Sequence, residues 1–329
     1  MMEEKREVKR TLREVLLGQG VSEGLITQMN TYRKEYATEL PEHIKKRIPK
    51  PSELYEGGDT WSMCITAILA GQHLLLSGGK ATGKNTLATS LAFAFQRPLW
   101  NVSFHSAISS DELIGSDTFR NGEVVFSPGM AYECAQYGGF GVLDEINMAK
   151  ESATAVLHSM LDHRRVIDVK GQAPLELHEM CTFIGTMNYG YSGTRPLNEA
   201  LASRFVIPEL EPTTDTTVAS ILNKKFPQIR ENIIKLFAGL FIDLQTKAKN
   251  AEISTLSVDL RGIISALKMI EYGINPNKAL VATLTNKSFE EFERVLVQDV
   301  VNLRIPREMS SEDVFGGSKA TIIDFGGVR

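Results

Sequence analysis

Gly78, Gly83 and Lys84 hold the spacing G-x-x-x-x-G-K within Ser77-Gly-Gly-Lys-Ala-Thr-Gly-Lys84. Residues of these types at this spacing grip phosphate. The glycines let successive backbone N–H groups curl round an anion that then sits at a helix N-terminus. On that chemistry Gly78, Gly79, Lys80, Ala81, Thr82 and Gly83 form the cradle, and Lys84 reaches the β- and γ-phosphates. Ser or Thr ordinarily follows the lysine and ligates Mg²⁺. Here Asn85 stands in that place and Thr86 comes one residue late, so both remain candidate metal ligands. A glycine turn that merely closes a strand has the same composition, and the surroundings decide between the two. Leu74 to Leu76 reads as a buried strand before the turn, and Leu87, Leu91 and Phe95 recur at helical spacing after it.

A second landmark is Gly139-Phe-Gly-Val-Leu-Asp-Glu145, an apolar strand whose carboxyl end carries two acids. Ligands of open α/β sheets bind at that end. With a phosphate loop upstream, Asp144 helps hold Mg²⁺, and Glu145 orients and polarises an attacking water. Thr182-Phe-Ile-Gly-Thr-Met-Asn188 is a further buried strand. Asn188 at its end is able to hydrogen-bond the water or the γ-phosphate, although Asn at a strand end is also a common turn residue.

These residues need strands and helices to position them. Trp61 to Leu69 reads as a helix leading into the first strand, and Pro98 to Val102 as the second strand. Ser109 to Gly115 carries helix-capping residues. Asn121-Gly122 lies between strand-like Thr118–Arg120 and Glu123–Phe126 and predicts a β-hairpin. Ser127-Pro-Gly129 reads as a chain break, Met130 to Tyr137 as a short helix and Ser152 to Asp162 as another. Val166 to Val169 and Leu175 to Leu177 flank Gly171 as a second pair of strands.

Beyond Asp215 helical periods dominate, over Val218–Lys224, Ile229–Lys249, Val258–Gly273, Pro276–Leu284 and Phe289–Leu303. The expected organisation is a helical N-terminal segment over 1–55 and an α/β core over 56–212. An all-α domain over 213–305 and a flexible tail over 306–329 follow. The N-terminal helices serve either to pack on the core or to bind a partner.

Bulk properties bound the alternatives. The chain has 329 residues, 43% hydrophobic and 23% charged, with a net charge of −4. That length accommodates about two domains, and the charge gives no global pull toward nucleic acid or anionic membrane. Cys64, Cys134 and Cys181 are few and widely spaced, as unpaired thiols of a reducing compartment are. Met1 to Arg13 is charge-dense without an apolar signal region, and Ile65 to Leu76 is interrupted by Thr66, Gln72 and His73. A soluble, cytoplasmic protein is expected.

Taken together, the phosphate loop, Asp144-Glu-Ile-Asn-Met-Ala149, Thr186-Met-Asn188, Gly193-Thr-Arg-Pro-Leu-Asn-Glu-Ala200 and Ser203-Arg-Phe205 resemble AAA+ ATPases. The nearest branch is the MoxR group, with its CbbQ/NirQ/NorQ-type and dynein-related members, and the likeness runs from about Trp61 to Leu303. The resemblance implies a P-loop NTPase fold, with a parallel five-stranded sheet, helices on both faces and a small all-α lid. It implies ATP and Mg²⁺ as cofactors, and a hexameric ring that remodels or activates a partner complex. A second protein with a von Willebrand factor A domain is the implied companion.

By motif, Asn188 resembles sensor 1 and Arg261 in Leu256-Ser-Val-Asp-Leu-Arg261 resembles sensor 2. Arg204 resembles the arginine finger that reaches a neighbouring subunit's nucleotide, with Arg195 a second trans-acting candidate. Ser203 stands where relatives often carry Asp. The two hairpins resemble the helix 2 insertion and the pre-sensor hairpin of this branch. Two other functions stay open: a nucleic-acid motor or restriction-type NTPase, with Arg164, Arg165 and Lys170 as its basic residues, and a nucleotide switch with weak hydrolysis.

Overall fold

The computed structural model describes residues 11–104, 108–149, 151–169, 171–188 and 197–316, with 151–155 described by backbone only. It divides into two compact units, one of residues 1–79 and 83–211, the other of residues 80–82 and 212–329.

Among the described residues the first unit begins with three helices, α1 (Leu12–Gly18), α2 (Glu23–Glu35) and α3 (Glu42–Lys45). Thr11 and Glu14 close a capping box at α1, and Ser22 caps α2. Then come α4 (Gly58–Leu69), β1 (His73–Gly78), α5 (Lys84–Phe95), β2 (Leu99–Ser103) and α6 (Ser110–Ile114). The hairpin β3 (Gly115–Arg120) and β4 (Glu123–Pro128) follows, and then α7 (Met130–Tyr137), β5 (Phe140–Asp144) and α8 (Glu151–Met160). The unit closes with β6 (Val166–Ile167), β7 (Leu175–Glu176), β8 (Thr182–Met187), α9 (Glu199–Ala202), β9 (Phe205–Val206) and β10 (Glu209–Leu210).

The main sheet has the order β10-β1-β8-β5-β2, every pairing parallel, with β9 also on β1. Among the described residues it therefore has five positions but six strands. Pro208, which has no N–H to donate, divides the outer position into β9 and β10, and its carbonyl accepts from Ser77 N at 3.2 Å. Residues of β1 alternate between the two faces. Leu74 and Leu76 join a core with α1, α2, α4 and α5, through Leu16, Met29, Trp61 and Leu91. Leu75 joins the other core with α7 and α8, through Ala131, Cys134, Leu157 and Met160. Burial on both faces explains why β1, β5 and β8 are almost uninterrupted apolar runs. The N-terminal helices thus pack into the core: Leu16, Val21, Ile26 and Met29 are at most 2% exposed.

The β3–β4 turn has Asn121 at φ 52° and Gly122 at φ 90°, the two left-handed residues of a type I′ turn. Ser127 and Pro128 belong to β4, so of the expected break only Gly129, the cap of α7, remains outside regular structure. Pro is tolerated there because β4 is the edge of a two-stranded ribbon.

The second unit is helical: α10 (Asp215–Lys225), α11 (Glu231–Lys249), α12 (Leu260–Glu271), α13 (Pro276–Thr283), α14 (Glu291–Arg304) and α15 (Ser311–Phe315). Phe237, Phe241, Leu267 and Val301 fill its centre. The expectation of a loose tail is corrected over 311–315. Ser310 and Asp313 form a capping box, Val314 is 1% exposed, and the Phe315 ring meets Phe226 edge-on. Local capping plus one apolar anchor orders a segment whose composition reads as flexible.

Candidate nucleotide site

The phosphate loop leaves the carboxyl end of β1 and enters α5 at Lys84. Gly83 has φ +87°, and a Cβ there would lie 3.1 Å from the Tyr55 ring, so both the backbone and the space call for glycine. Tyr55 is braced in turn. Its N–H donates to Ser90 Oγ at 3.0 Å, and its carbonyl accepts from Gln19 Nε2 at 3.1 Å and Trp61 Nε1 at 3.0 Å. Gln19 Oε1 accepts from Gly57 N at 2.9 Å. One amide on the helical N-terminal segment thereby fixes the ring that backs the loop.

Lys84 is 9% exposed, and its ammonium donates to the carbonyls of Gly78 (2.9 Å) and Gly79 (2.6 Å). Burial pushes its pKa down to about 8, against the opposing pull of the Asp144 and Glu145 carboxylates. Asn85 Nδ2 donates to Asp144 Oδ2 at 3.1 Å, and Asn85 Oδ1 is buried with no hydrogen-bond partner. Thr86 is exposed. Lys80, Ala81 and Thr82 group with the helical unit, where Lys80 Nζ donates to Thr255 O at 3.1 Å and Ala81 O accepts from Thr213 Oγ1 at 2.9 Å.

Thr186 holds the acidic end of β5. Its hydroxyl donates to Asp144 Oδ1 and accepts from Glu145 N at 3.2 Å. Glu145 is exposed and left-handed, with φ 56°, where a non-glycine residue is uncommon. That conformation turns the chain sharply out of the strand, so Asp144 stays against the loop helix while Glu145 stands in solvent. Asn188 is half-buried and follows the end of β8, the strand between β1 and β5. Strand order thus gathers Lys84, Asn85, Asp144, Glu145 and Asn188 at one end of the sheet.

Arg204 lies at the other end of β1. Arg204 precedes Phe205, which pairs with His73 at the amino end of β1. The loop leaves the other end of that strand, about 16 Å away along the backbone. Arg261 is exposed in the first turn of α12, in the helical unit. Arg195 and Lys170 lie outside the described residues. Arg165 is committed to structure, donating to Gly71 O (3.3 Å), His178 O (3.0 Å), Glu179 O (3.3 Å) and Cys181 O (3.1 Å). Arg164 pairs with Asp162 at 2.8 Å. Two positioning residues, Thr186 and Tyr55, escape the sequence reading. Thr186 stands inside a motif, but neither its spacing nor its type marks it. Nothing local to Tyr55 signals its place behind the loop.

Fold and site define a P-loop α/β domain joined to a helical unit. Residues 73–205, from β1 into β9, match the family model described as the AAA domain (dynein-related subfamily). The chain is 28% identical over 242 residues to the uncharacterized protein YojN of Bacillus subtilis, covering 72% of this chain and 79% of that protein. It is 27% identical over 240 residues to the uncharacterized protein SH1500 of Staphylococcus haemolyticus, covering 70% and 90% respectively. The solved structure of a Thermogota maritima RuvB mutant aligns with TM-score 0.42 at 16% identity, over 84% of this chain and 73% of that one. No helix among the described residues is long and apolar enough to cross a membrane.

Proposed function

We propose that the protein hydrolyses ATP as a MoxR-type AAA+ ring and uses the cycle to remodel or activate a partner complex. The observation that carries the reading is the Asn85–Asp144 contact, which joins the phosphate-loop helix to the acidic strand end and leaves Asn85 Oδ1 buried without a partner. An unpartnered carbonyl oxygen beside a carboxylate suits a hard divalent cation. Among the described residues no cluster of three or more His, Cys, Asp or Glu is arranged to hold a metal by itself. That fits Mg²⁺, which is ordinarily held by one carboxylate and the substrate's phosphates. Asn85 and Asp144 would hold the ion, which when bound neutralises charge on the phosphate oxygens.

In this reading Lys84 leaves the loop carbonyls for the β- and γ-phosphates. Glu145 orients the attacking water and accepts its proton, and Asn188 hydrogen-bonds the water or the γ-phosphate. Arg204 lies too far from its own loop to take part there, so it serves a neighbour's nucleotide, which requires a ring, a hexamer by resemblance. A companion with a von Willebrand factor A domain rests on resemblance alone. The β3–β4 hairpin presents Phe119 and Val124, cross-strand partners 74% and 68% exposed, as the remodelling surface.

Phosphate release by purified protein tests the core of this reading. Lys84→Ala and Glu145→Gln are expected to abolish turnover, and turnover unchanged by either overturns it. Tight ATP binding without phosphate release would instead establish a nucleotide switch, the reading that Asn85 in place of a hydroxyl favours. DNA across a salt series is expected to leave the rate unchanged, because Arg164 and Arg165 are already engaged within the chain. Deleting Phe119–Val125 is expected to spare basal hydrolysis and abolish stimulation by the partner.

A further inference from the structure

Arg204 is held by contacts that no motif announces. Its Nη1 donates to Ala200 O at 2.5 Å, its Nη2 lies 3.7 Å from Asp162 Oδ2, and its Nε is buried without a partner. The side chain is 30% exposed, against 15% for Asp162. Asp162 follows α8, and its other oxygen accepts from Arg164 N at 3.1 Å and Arg164 Nε at 2.8 Å. His163 Nδ1 lies 3.4 Å from the same oxygen. The corner is rigid because Arg165, next along the chain, spans four backbone carbonyls from the α4–β1 turn to the start of β8. The hydrogen bonds from Arg164 keep the Asp162 carboxyl well below the usual range, at about 2, so it is ionised throughout the working pH range.

We infer that Asp162 is the positioning residue for Arg204: its carboxylate, fixed at the corner between α8 and β6, sets the direction in which the guanidinium leaves the subunit. The inference rests on the reading of Arg204 as a trans-acting group. The Ala200 carbonyl accepts from one Nη, the Asp162 carboxylate lies 3.7 Å from the other, and the side chain between them stays 30% exposed, so the planar fork is oriented from two sides while part of it faces solvent. Asp162 also ties that fork to the second hairpin, which begins four residues later. A client that shifts the hairpin would thereby move the arginine. Ser203, the immediate neighbour, bonds its own helix through Ala200 O at 2.9 Å, so a hydroxyl there does not substitute for the carboxylate.

A double-mutant cycle on the assembled full-length protein tests this, with ATP turnover, KM and nucleotide binding as readouts. Asp162→Asn is expected to lower kcat about 10- to 100-fold, as a misplaced transition-state group does, with KM for ATP little changed. Arg204→Ala is expected to lower it at least as far, and the double variant no further than Arg204→Ala alone. Arg164→Ala removes only an exposed partner of Asp162, and turnover should stay within about twofold. If Asp162→Asn yields no folded rings, Asp162→Glu replaces it in the same cycle. Full activity of the Asp162 variant beside a crippled Arg204→Ala overturns the inference and leaves the ring reading intact. An additive loss in the double variant, or an equal loss in Arg164→Ala, also overturns it, by showing a general structural role. Full activity of Arg204→Ala overturns the trans-acting reading itself.

Discussion

Asn85 Nδ2 donates to Asp144 Oδ2 at 3.1 Å, while the amide oxygen of the same side chain is buried without a partner. The contact joins the loop helix after β1 to the end of β5 and bears on a choice that spacing leaves open. Asn85 is turned toward the acidic strand end, and Thr86 is exposed. Asn85→Ala is therefore expected to raise the Mg²⁺ concentration for half-maximal nucleotide binding about 10-fold, on the scale of losing one oriented ligand. Thr86→Ala is expected to leave it unchanged. Mg²⁺ titration of fluorescent nucleotide binding measures both.

Thr186 joins Asp144 to the backbone of Glu145 through one hydroxyl. Thr186→Val keeps the shape and removes both bonds, leaving a carboxylate oxygen and an N–H short of partners. Stability should fall by about 1–3 kcal/mol. The rate should fall further than the fold does, because Glu145 loses the contact that supports its left-handed turn. Chemical denaturation and steady-state kinetics separate the two effects.

Lys84 gives a pH dependence of definite sign. Its pKa in the folded chain is about 8, below the ordinary lysine value, because burial disfavours the ammonium. Phosphates favour the ammonium, so nucleotide binding above pH 8 takes up a proton and affinity declines as pH rises. Calorimetry in two buffers of different ionisation enthalpy should show this uptake, and Lys84→Met should abolish it. The same shift bears on stability. Above pH 8 the unfolded chain binds more protons than the folded one, so this group's burden on the fold is lifted as pH rises from about 8 toward the ordinary lysine range. Lys84→Met should be the more stable protein at pH 7, and its advantage should shrink over that window.

Gln19 connects the N-terminal helices to the phosphate loop through Tyr55. Gln19→Ala removes the bonds to Tyr55 O and Gly57 N and is expected to cost about 1–3 kcal/mol. Loosening Tyr55 also frees Gly83, so KM for ATP should rise more than kcat falls. Gly58→Ala is the severe counterpart, because its Cβ would lie 1.6 Å from the Gln19 carbonyl oxygen. Thermal melting and a KM against kcat comparison check both variants.

Short-range chemistry was readable directly from the chain. The phosphate loop, the Asn121-Gly122 hairpin and the apolar strands that end at Asp144 and Met187 are each encoded in a few contiguous residues, where backbone sterics and periodicity act. The α/β class follows from them, since a strand buried on both faces needs helices above and below it. The tail shows the limit: composition reads 306–329 as loose, yet a capping box and buried Val314 order 311–315.

Strand order decided the rest. Thr186 reaches Asp144 only because β8 lies beside β5, and Arg204 is remote from its own loop only because β9 pairs with the opposite end of β1. Tyr55 meets Gly83, and Arg165 spans the base of the second hairpin, through contacts between segments far apart in sequence. Residue types and spacing determined which chemistry this chain carries. Which of those residues share one end of the sheet depends on how parallel strands stack, and a linear sequence does not record that distance.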